Sequence, residues 1–458
     1  MTKDDWLDAD NAALFTDFYQ LTMLQAYFRE EMREDAVFDL FVRRLGRRNY
    51  LVACGLDTVL RYLENLHFTE QAVDFVGSQG SFDQAFLDYL DRFRFTGDVY
   101  AVAEGTPVFG DEPIIEVVAP IGEAQLVETF LLNQITFQTN AATKASRVRR
   151  AAGERLVSDF GMRRMHGGDA ALKAARAFYV AGVDATSNVL AGQLYGIPMI
   201  GTMAHSYVEA HDQEKGAFEA FAGIFPGSTL LVDTYDTLEG IRAVVDLAAS
   251  EADTFSVGGV RLDSGDLAHL SVEARRMLDE HGLEHVKIVA SGSLDEHIIA
   301  DLIEGGAPID AFGVGTKMGT ISDMPYLDSA YKLSGYAGTP RMKLSSEKSN
   351  LPGKKQVFRT IRGGVADGDV IAEAEEEIEG LPLLQQVMRN GRRLPAGTRT
   401  LEEIREHARS ALAVLPDDLR GLTAREPPYS VELSARLRRT REETRRRLEA
   451  GPAGIGRH

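Results

Sequence analysis

"HVKIVASGSLDEHIIADLIEGGAPIDAFGVGT", residues 285–316, passes from a short apolar run, "HVKIVASG", through a helical segment, "SLDEHIIADLIEGG", into a second short run, "PIDAFGVGT". Two strands joined through a helix lie parallel, because the crossover returns the chain to the same end of the sheet. The same grammar extends upstream. "RLVSDFG", "GVDATS", "IPMIGT", "STLLVDT" and "FSVGGVRLDS" bring the strand candidates to seven, and "DAALKAARAFYVAG", "SNVLAGQLYG", "TLEGIRAVVDLAAS" and "LAHLSVEARRMLDEHG" read as helices between them. Seven such units within about 160 residues fit a βα barrel better than an open doubly wound sheet.

On either side the pattern differs. Residues 16–30 read as a helix that Thr16 or Asp17 can cap, "AVFDLFVRR" alternates as a strand does, and "YLVACGLDTVLRYLENL" passes from strand through Gly55 into helix. "GDVYAVAEGTPVFGDEPIIEVVAP" is short strands, and "IGEAQLVETFLLNQITFQTNAATKASRVRRAAG" is a long amphipathic helix or helix pair. The fold class expected is α/β, an irregular parallel βα barrel packed with an N-terminal α+β sandwich-like domain. Residues 1–152 form the N-terminal domain with its connecting helix, and residues 153–330 the barrel with the active site. Residues 331–458 form an irregular region returning toward the N-terminal domain, with strands and turns in "KLSGYAGTPRMKLSSEKSNLPGKKQVFR" and a helix in "LEEIREHARSALAVLP". The last helix, "SARLRRTREETRRRLEA", carries seven arginines and reads as a solvated face laced with Glu442, Glu443 and Glu449, rather than as an anion-binding arm.

Composition bounds the function. The chain has 458 residues, room for two or three domains of about 150 residues. Acids outnumber bases 69 to 50, a net charge of −19, which argues against a nucleic-acid-coating protein. Cys54 is the only cysteine, so no disulfide forms within the chain and a reducing compartment fits. The first thirty residues carry acids where a signal peptide needs a basic start, and no apolar stretch is long enough to span a membrane. A soluble cytoplasmic protein is expected.

In a parallel βα barrel the C-terminal strand ends share one mouth. Here those ends supply Asp159, Gly161 and Arg163; Thr186 and Ser187; Thr202 and His205; Asp233 and Thr234; Arg261, Asp263 and Ser264; Ser291 and Gly292; and Gly313, Gly315 and Thr316. Apolar strands that all end in polar residues describe a pocket. The two late Gly-rich ends, "ASGSLDE" and "FGVGTKMG", offer backbone N–H groups and hydroxyls as a phosphate cradle does. Arg261 and Asp263, two apart, share one side of a strand and form either an anion grip beside an acid or an internal salt bridge. His205 taken alone is either a packed rim histidine or a reacting one. No pair of histidines at helical spacing accompanies it, which argues against zinc.

At this point the segments "TDFYQLTMLQAYF", "LVETFLLNQITFQTNAATKASRV", "DFGMRRMHGGDAAL", "DATSNVLAGQLYGIPMIGTMAHS", "GVRLDSGDL", "FGVGTKMG" and "KLSSEKSNLPGKKQVFR" together resemble the nicotinate phosphoribosyltransferases, of the type II phosphoribosyltransferase family. "RRLGRRNYLVACGL" is more arginine-rich than that family's usual Pro-containing turn. The resemblance implies an active site completed across a homodimer. It implies that nicotinate and phosphoribosyl pyrophosphate give nicotinate mononucleotide and pyrophosphate, with Mg²⁺ and coupled ATP hydrolysis. By the same resemblance Tyr19 lies against the nicotinate ring, Thr202 and Arg261 line its pocket with Arg261 on the carboxylate, and Arg163 binds anions nearby. Thr316, with Gly313 and Gly315, receives the 5-phosphate; Ser291 and Gly292 are taken as substrate-binding from their place in the other Gly-rich strand end alone. Asp263 lies near the ribose and pyrophosphate, and His205 is the histidine that ATP phosphorylates. A nicotinamide-using relative would present an aspartate at the second strand, where this chain has Thr186-Ser187-Asn188, with Asp184 close by. An aldolase- or isomerase-type barrel would need a lysine in the mouth, where only Lys317 is available. A non-enzymatic sensor of phosphoribosyl pyrophosphate is the third alternative.

Overall fold

The strand–helix–strand reading of residues 285–316 holds: Lys287–Ala290 and Ala311–Val314 pair in parallel, with the helix Glu296–Glu304 between them in sequence. The computed structural model describes residues 7–250, 255–344 and 350–450. They form two compact units, one of the described residues between 141 and 325 and one of those before 141 and after 325.

The first of these units holds a six-stranded parallel sheet. Its strands are β1 (Leu156–Asp159), β2 (Ala185–Thr186), β3 (Thr229–Leu231), β4 (Gly259–Leu262), β5 (Lys287–Ala290) and β6 (Ala311–Val314). The order across the sheet is β2-β1-β6-β5-β4-β3. First and last strands therefore pair, Val157 with Phe312 and Asp159 with Val314. Taken as a ring, this is the chain order broken at one seam, whereas an open doubly wound sheet reverses its order at a switch point. Val157, Leu230, Val260, Ile288 and Phe312 are buried, as strands covered on both faces require.

The seam lies where the seventh expected strand, "IPMIGT", should have been. That segment makes only an isolated bridge, Met199 with Thr186. Pro198 has no N–H to give a ladder, although its carbonyl accepts from Thr186 N at 3.0 Å. The expected helices form, and three more appear, His205–Glu209, Glu214–Ile224 and the short Thr316–Gly319. The second contains Gly216 and Gly223, poor helix formers that mask its pattern in the sequence.

The other unit carries a seven-stranded sheet built around Asp35–Val42, Pro113–Pro120 and Asp98–Val102, with Ser329–Tyr336 and Leu384–Arg389 flanking them. A four-stranded sheet is formed by Leu381–Pro382, Lys355–Arg362, Val365–Glu373 and Val431–Leu433. The first helix is Phe18–Arg29; Asp17 sits at its N-cap but its carboxylate accepts from Thr129 Oγ1 at 2.7 Å instead. Gly55, at φ 105°, makes the strand-to-helix turn. Thr400 and Glu403 form a capping box on Leu401–Ala413. The arginine-rich helix Ala435–Glu449 is mostly exposed and paired, Arg446 with Glu442 at 3.1 Å and Arg445 with Glu449 at 2.9 Å. Residues 345–349 of the expected strand-and-turn stretch lie outside the described residues. Among those described, no helix is long and apolar enough to cross a membrane.

One row of the seven-stranded sheet is charged and dry. Asp39 and Glu116 face each other across adjacent strands, and both are buried. Lys355 Nζ reaches Asp39 at 2.7 Å, and its backbone N–H donates to Glu116 at 2.8 Å. One cation cannot neutralise two facing carboxylates. Burial first, then the charge of Asp39, pushes the Glu116 carboxyl well above its usual range, against the opposing pull of Lys355. A raised folded value means that Glu116 contributes stability below the ordinary carboxylate range and loses it as pH rises through the folded value. Glu116→Gln keeps a neutral side chain of the same size. Its stability relative to the parent should rise as pH is raised from about 5 to about 9, read as denaturant midpoints; a pH-independent difference would contradict a protonated Glu116.

Candidate active site

The β4 end delivers Arg261 and Asp263 together, as alternation along a strand requires. Arg261 Nη1 donates to Thr202 Oγ1, and Nη2 to the Met203 carbonyl at 3.2 Å. His205 Nδ1 pairs with Thr234 Oγ1 at 3.2 Å, just past β3. These side-chain links cross the seam that no strand pairing closes. Burial lowers the Arg261 pKa, Asp263 and Asp233 oppose that, and Arg163 lowers it further. The guanidinium lies 6.0 Å from the centre of the Phe160 ring. Its Nε is buried and has no hydrogen-bond partner.

The Asp263 carboxylate accepts from Ser291 Oγ at 2.5 Å and lies 4.0 Å from His205 Nε2. Gly292 packs against it so tightly that a Cβ there would lie 1.8 Å from the Asp263 carbonyl oxygen, and its φ is +87°. No other residue fits. A side chain at Gly313 would have to displace the Phe160 ring, which would lie 2.5 Å from its Cβ. Gly315 faces the Phe160 carbonyl, and Thr316 opens the short helix Thr316–Gly319.

Asp233 Oδ2 accepts from Asp263 N at 3.1 Å and Ser264 Oγ at 2.6 Å. Its Oδ1, like Oε1 of Glu214, is buried without a partner. Burial, then Asp236 and Asp233, raises the Glu214 pKa. Asp159, buried at the β1 end, accepts from Gly161 N and Thr186 Oγ1, both at 2.8 Å. Burial pushes it to about 6, against those two hydrogen bonds.

Ten of the eleven site residues expected from sequence thus lie in the barrel unit: Arg163, Thr202, His205, Arg261, Asp263, Ser291, Gly292, Gly313, Gly315 and Thr316. Tyr19 lies on the helix Phe18–Arg29 of the other unit, with its hydroxyl 3.4 Å from Glu128. The sequence reading assigned no role to Phe160, Asp233 or Glu214. Asp233 is among the strand-end residues expected at the mouth, though without a role, and Phe160 stands at another strand end, where the same pattern could have found it. Glu214 begins the helix that the pattern did not show.

A model of the nicotinate phosphoribosyltransferase (NAPRTase) N-terminal domain matches residues 14–136, and one of the nicotinate phosphoribosyltransferase (NAPRTase) family matches residues 156–337. The nicotinate phosphoribosyltransferase pncB2 of Mycobacterium tuberculosis is 50% identical over 426 residues, 93% of this chain and 92% of its own length. The chain belongs to the nicotinate phosphoribosyltransferase family. The Bacillus subtilis nicotinate phosphoribosyltransferase is 43% identical, over 81% of this chain and 78% of its own. The crystal structure of human nicotinic acid phosphoribosyltransferase has a TM-score of 0.82 at 29% identity, with 93% of this chain and 99% of that one covered. The fold described above is therefore shared with a solved family member along almost its whole length.

The seam makes a prediction of its own. Thr202→Val removes one acceptor of a charged hydrogen bond worth about 1.5–3 kcal/mol and adds no bulk. Amide hydrogen exchange of residues 199–205 should then quicken by tenfold or so, with β5 and β6 unchanged. Unaltered exchange would mean that something else closes the seam.

Proposed function

We propose that this chain transfers the phosphoribosyl group of phosphoribosyl pyrophosphate to nicotinate, giving nicotinate mononucleotide and pyrophosphate in NAD biosynthesis, with ATP as co-substrate and Mg²⁺ as cofactor. The observation that carries this is Arg261. Its terminal nitrogens hold the loop at Thr202 and Met203, and its buried Nε has no acceptor. A desolvated guanidinium N–H calls for an anion, and the nicotinate carboxylate is one. Arg163, an exposed guanidinium whose charge reaches Arg261, adds to the attraction.

The pyridine nitrogen is already a nucleophile, so the site needs no general base. Its bond to the ribose C1 forms as the C1–oxygen bond to pyrophosphate breaks, and the leaving group takes the electron pair. Catalysis is then placement and charge stabilisation. Ser291, Gly292, Gly313, Gly315 and Thr316 cradle the 5-phosphate, and Asp263 stands where the ribose gains positive charge. Mg²⁺ takes one or two carboxylates plus substrate phosphates. The orphaned oxygens of Asp233 and Glu214 suit such a cation, and among the described residues no cluster of three or more ligating side chains offers an alternative. When bound, Mg²⁺ neutralises the departing pyrophosphate.

The surroundings favour nicotinate over nicotinamide. Asp184 is occupied, accepting from Arg149 Nη1 at 3.0 Å and Val157 N at 2.9 Å. Thr186 donates to Asp159 and Asn188 caps the next helix, so the second strand end presents no free carboxylate to an amide. Lys317 is ion-paired with Asp295 at 2.8 Å, which disfavours a Schiff-base barrel.

His205 is the phosphate acceptor. It is half-exposed, holds only Thr234 through Nδ1, and keeps Nε2 toward Asp263. A core histidine would be buried. Phosphorylation adds about two negative charges beside the ribose and stabilises its cation-like transition state. Incubation with labelled ATP and Mg²⁺ should leave an acid-labile, base-stable label that His205→Ala abolishes, while slow ATP-independent synthesis persists. A His205→Ala protein still stimulated by ATP would place the acceptor elsewhere.

A second copy completes the pocket. Val189, Leu194 and Met199 are exposed apolar residues of the barrel unit, and Phe18 and Tyr19 are exposed in the other; each unit thus offers apolar surface for self-association. A homodimer in which each copy lends Tyr19 to the other's nicotinate pocket accounts for both. Tyr19→Ala and Arg261→Ala should each lose nicotinate turnover by tenfold or more. Mixing the two under subunit exchange should restore part of it through hybrid dimers; exchange without recovery would refute sharing.

A further inference from the structure

Directly after β5 stand two adjacent acids with different partners. Asp295 caps the helix Glu296–Glu304, accepting from His297 N and Ile298 N at 3.1 and 2.9 Å, while its other oxygen takes Lys317 at 2.8 Å. Glu296 is fully buried between Lys144 Nζ at 2.5 Å and Arg147 Nε at 3.0 Å. Lys144 in turn holds Asp323 at 2.7 Å. Lys144 and Arg147 stand one turn apart on the long helix Glu128–Ala152, and Lys317 and Asp323 both follow β6. Ion pairs from neighbouring residues thus tie the segment after β5 to the segment after β6 at two points.

Burying so many charges costs more than filling the space with apolar side chains, so stability alone does not explain the arrangement. What it gives is fixed geometry. Burial opposes ionisation of Glu296, but Lys144 and Arg147 outweigh it and hold the carboxyl below its usual range. The turn that precedes it is strained: Gly292 and Ser293 are both left-handed, at φ 87° and 52°. Serine tolerates that region poorly, and such a turn persists only where its surroundings impose it.

We propose that Glu296 is a positioning residue which, with Lys144 and with Asp295–Lys317, clamps the Ser291–Ser293 turn against the Gly313–Thr316 turn and thereby sets the affinity for phosphoribosyl pyrophosphate. The inference rests on the reading of those turns as the phosphate cradle. Glu296 touches no substrate; it acts through the spacing of groups that do.

Steady-state kinetics of the full-length enzyme test it. Glu296→Gln removes the charge but leaves Lys144 its pair with Asp323. KM for phosphoribosyl pyrophosphate should rise by about tenfold or more, with kcat and KM for nicotinate within about twofold, because only one substrate's placement is disturbed. Glu296→Asp should recover part of the loss. A cooperatively unfolding Glu296→Gln with unchanged KM for phosphoribosyl pyrophosphate overturns the proposal, and so does an equal loss in both KM values and kcat, which marks a merely structural role. Should Glu296→Gln fail to fold, Asp295→Asn breaks the more exposed half of the clamp; a smaller rise in the same KM supports the proposal and no rise overturns it. Thr316→Ala probes the cradle directly. If it raises KM for phosphoribosyl pyrophosphate and the clamp variants do not, the clamp alone fails; if it has no effect, the cradle reading fails first.

Discussion

The barrel of this protein does not close by strand pairing. It closes through Arg261, whose guanidinium reaches from the end of β4 to Thr202 and Met203 across the one gap in the ring. Withdrawing a guanidinium from water is costly, and this part-buried one is only partly compensated, by Asp263 and Asp233 through charge and by two hydrogen bonds. The remaining N–H has no partner, and in the proposed function it is the group that takes the substrate's anion. Placement of the helix that His205 opens follows from the same interaction, since Thr202 and Met203 lead directly into it.

The opposite half of the mouth is governed by steric limits. Gly292 sits against the backbone of Asp263 and cannot carry a side chain, and one at Gly313 would have to displace the Phe160 ring. These approaches bring the ends of β4 and β5, and of β6 and β1, together and leave backbone groups at the rim, where a phosphate can be held. The carboxylate of Asp263, fixed by Ser291, then lies between Arg261 and these glycine turns. In the proposed reaction that is where a cation-like ribose would meet negative charge.

Much of this was legible in the sequence because parallel strands buried on both faces leave an apolar run, and each polar residue at a run's end stands out. Six of the seven expected strands formed for that reason. The seventh, "IPMIGT", has the hydropathy of a strand, but Pro198 cannot join a ladder, and its failure produced the seam. Glu214 escaped notice because glycines blur the periodicity of its helix. The buried charges could not have been read at all. Glu296 and Lys144 are 152 residues apart in sequence, and nothing in either segment shows that they meet in a dry interior. The Asp39–Glu116–Lys355 row is hidden likewise, since its register depends on pairing between strands distant in the chain.

The proposed role of Arg261, part-buried and with one N–H unsatisfied, is to select the carboxylate of the substrate. Calorimetric titration of the unmodified protein with nicotinate and, separately, with nicotinamide measures that selection without any variant. The two rings are nearly isosteric and differ in charge, so loss of a charged hydrogen bond to a desolvated arginine should weaken nicotinamide by about tenfold or more. Equal dissociation constants would show that the guanidinium closes the barrel and does nothing else.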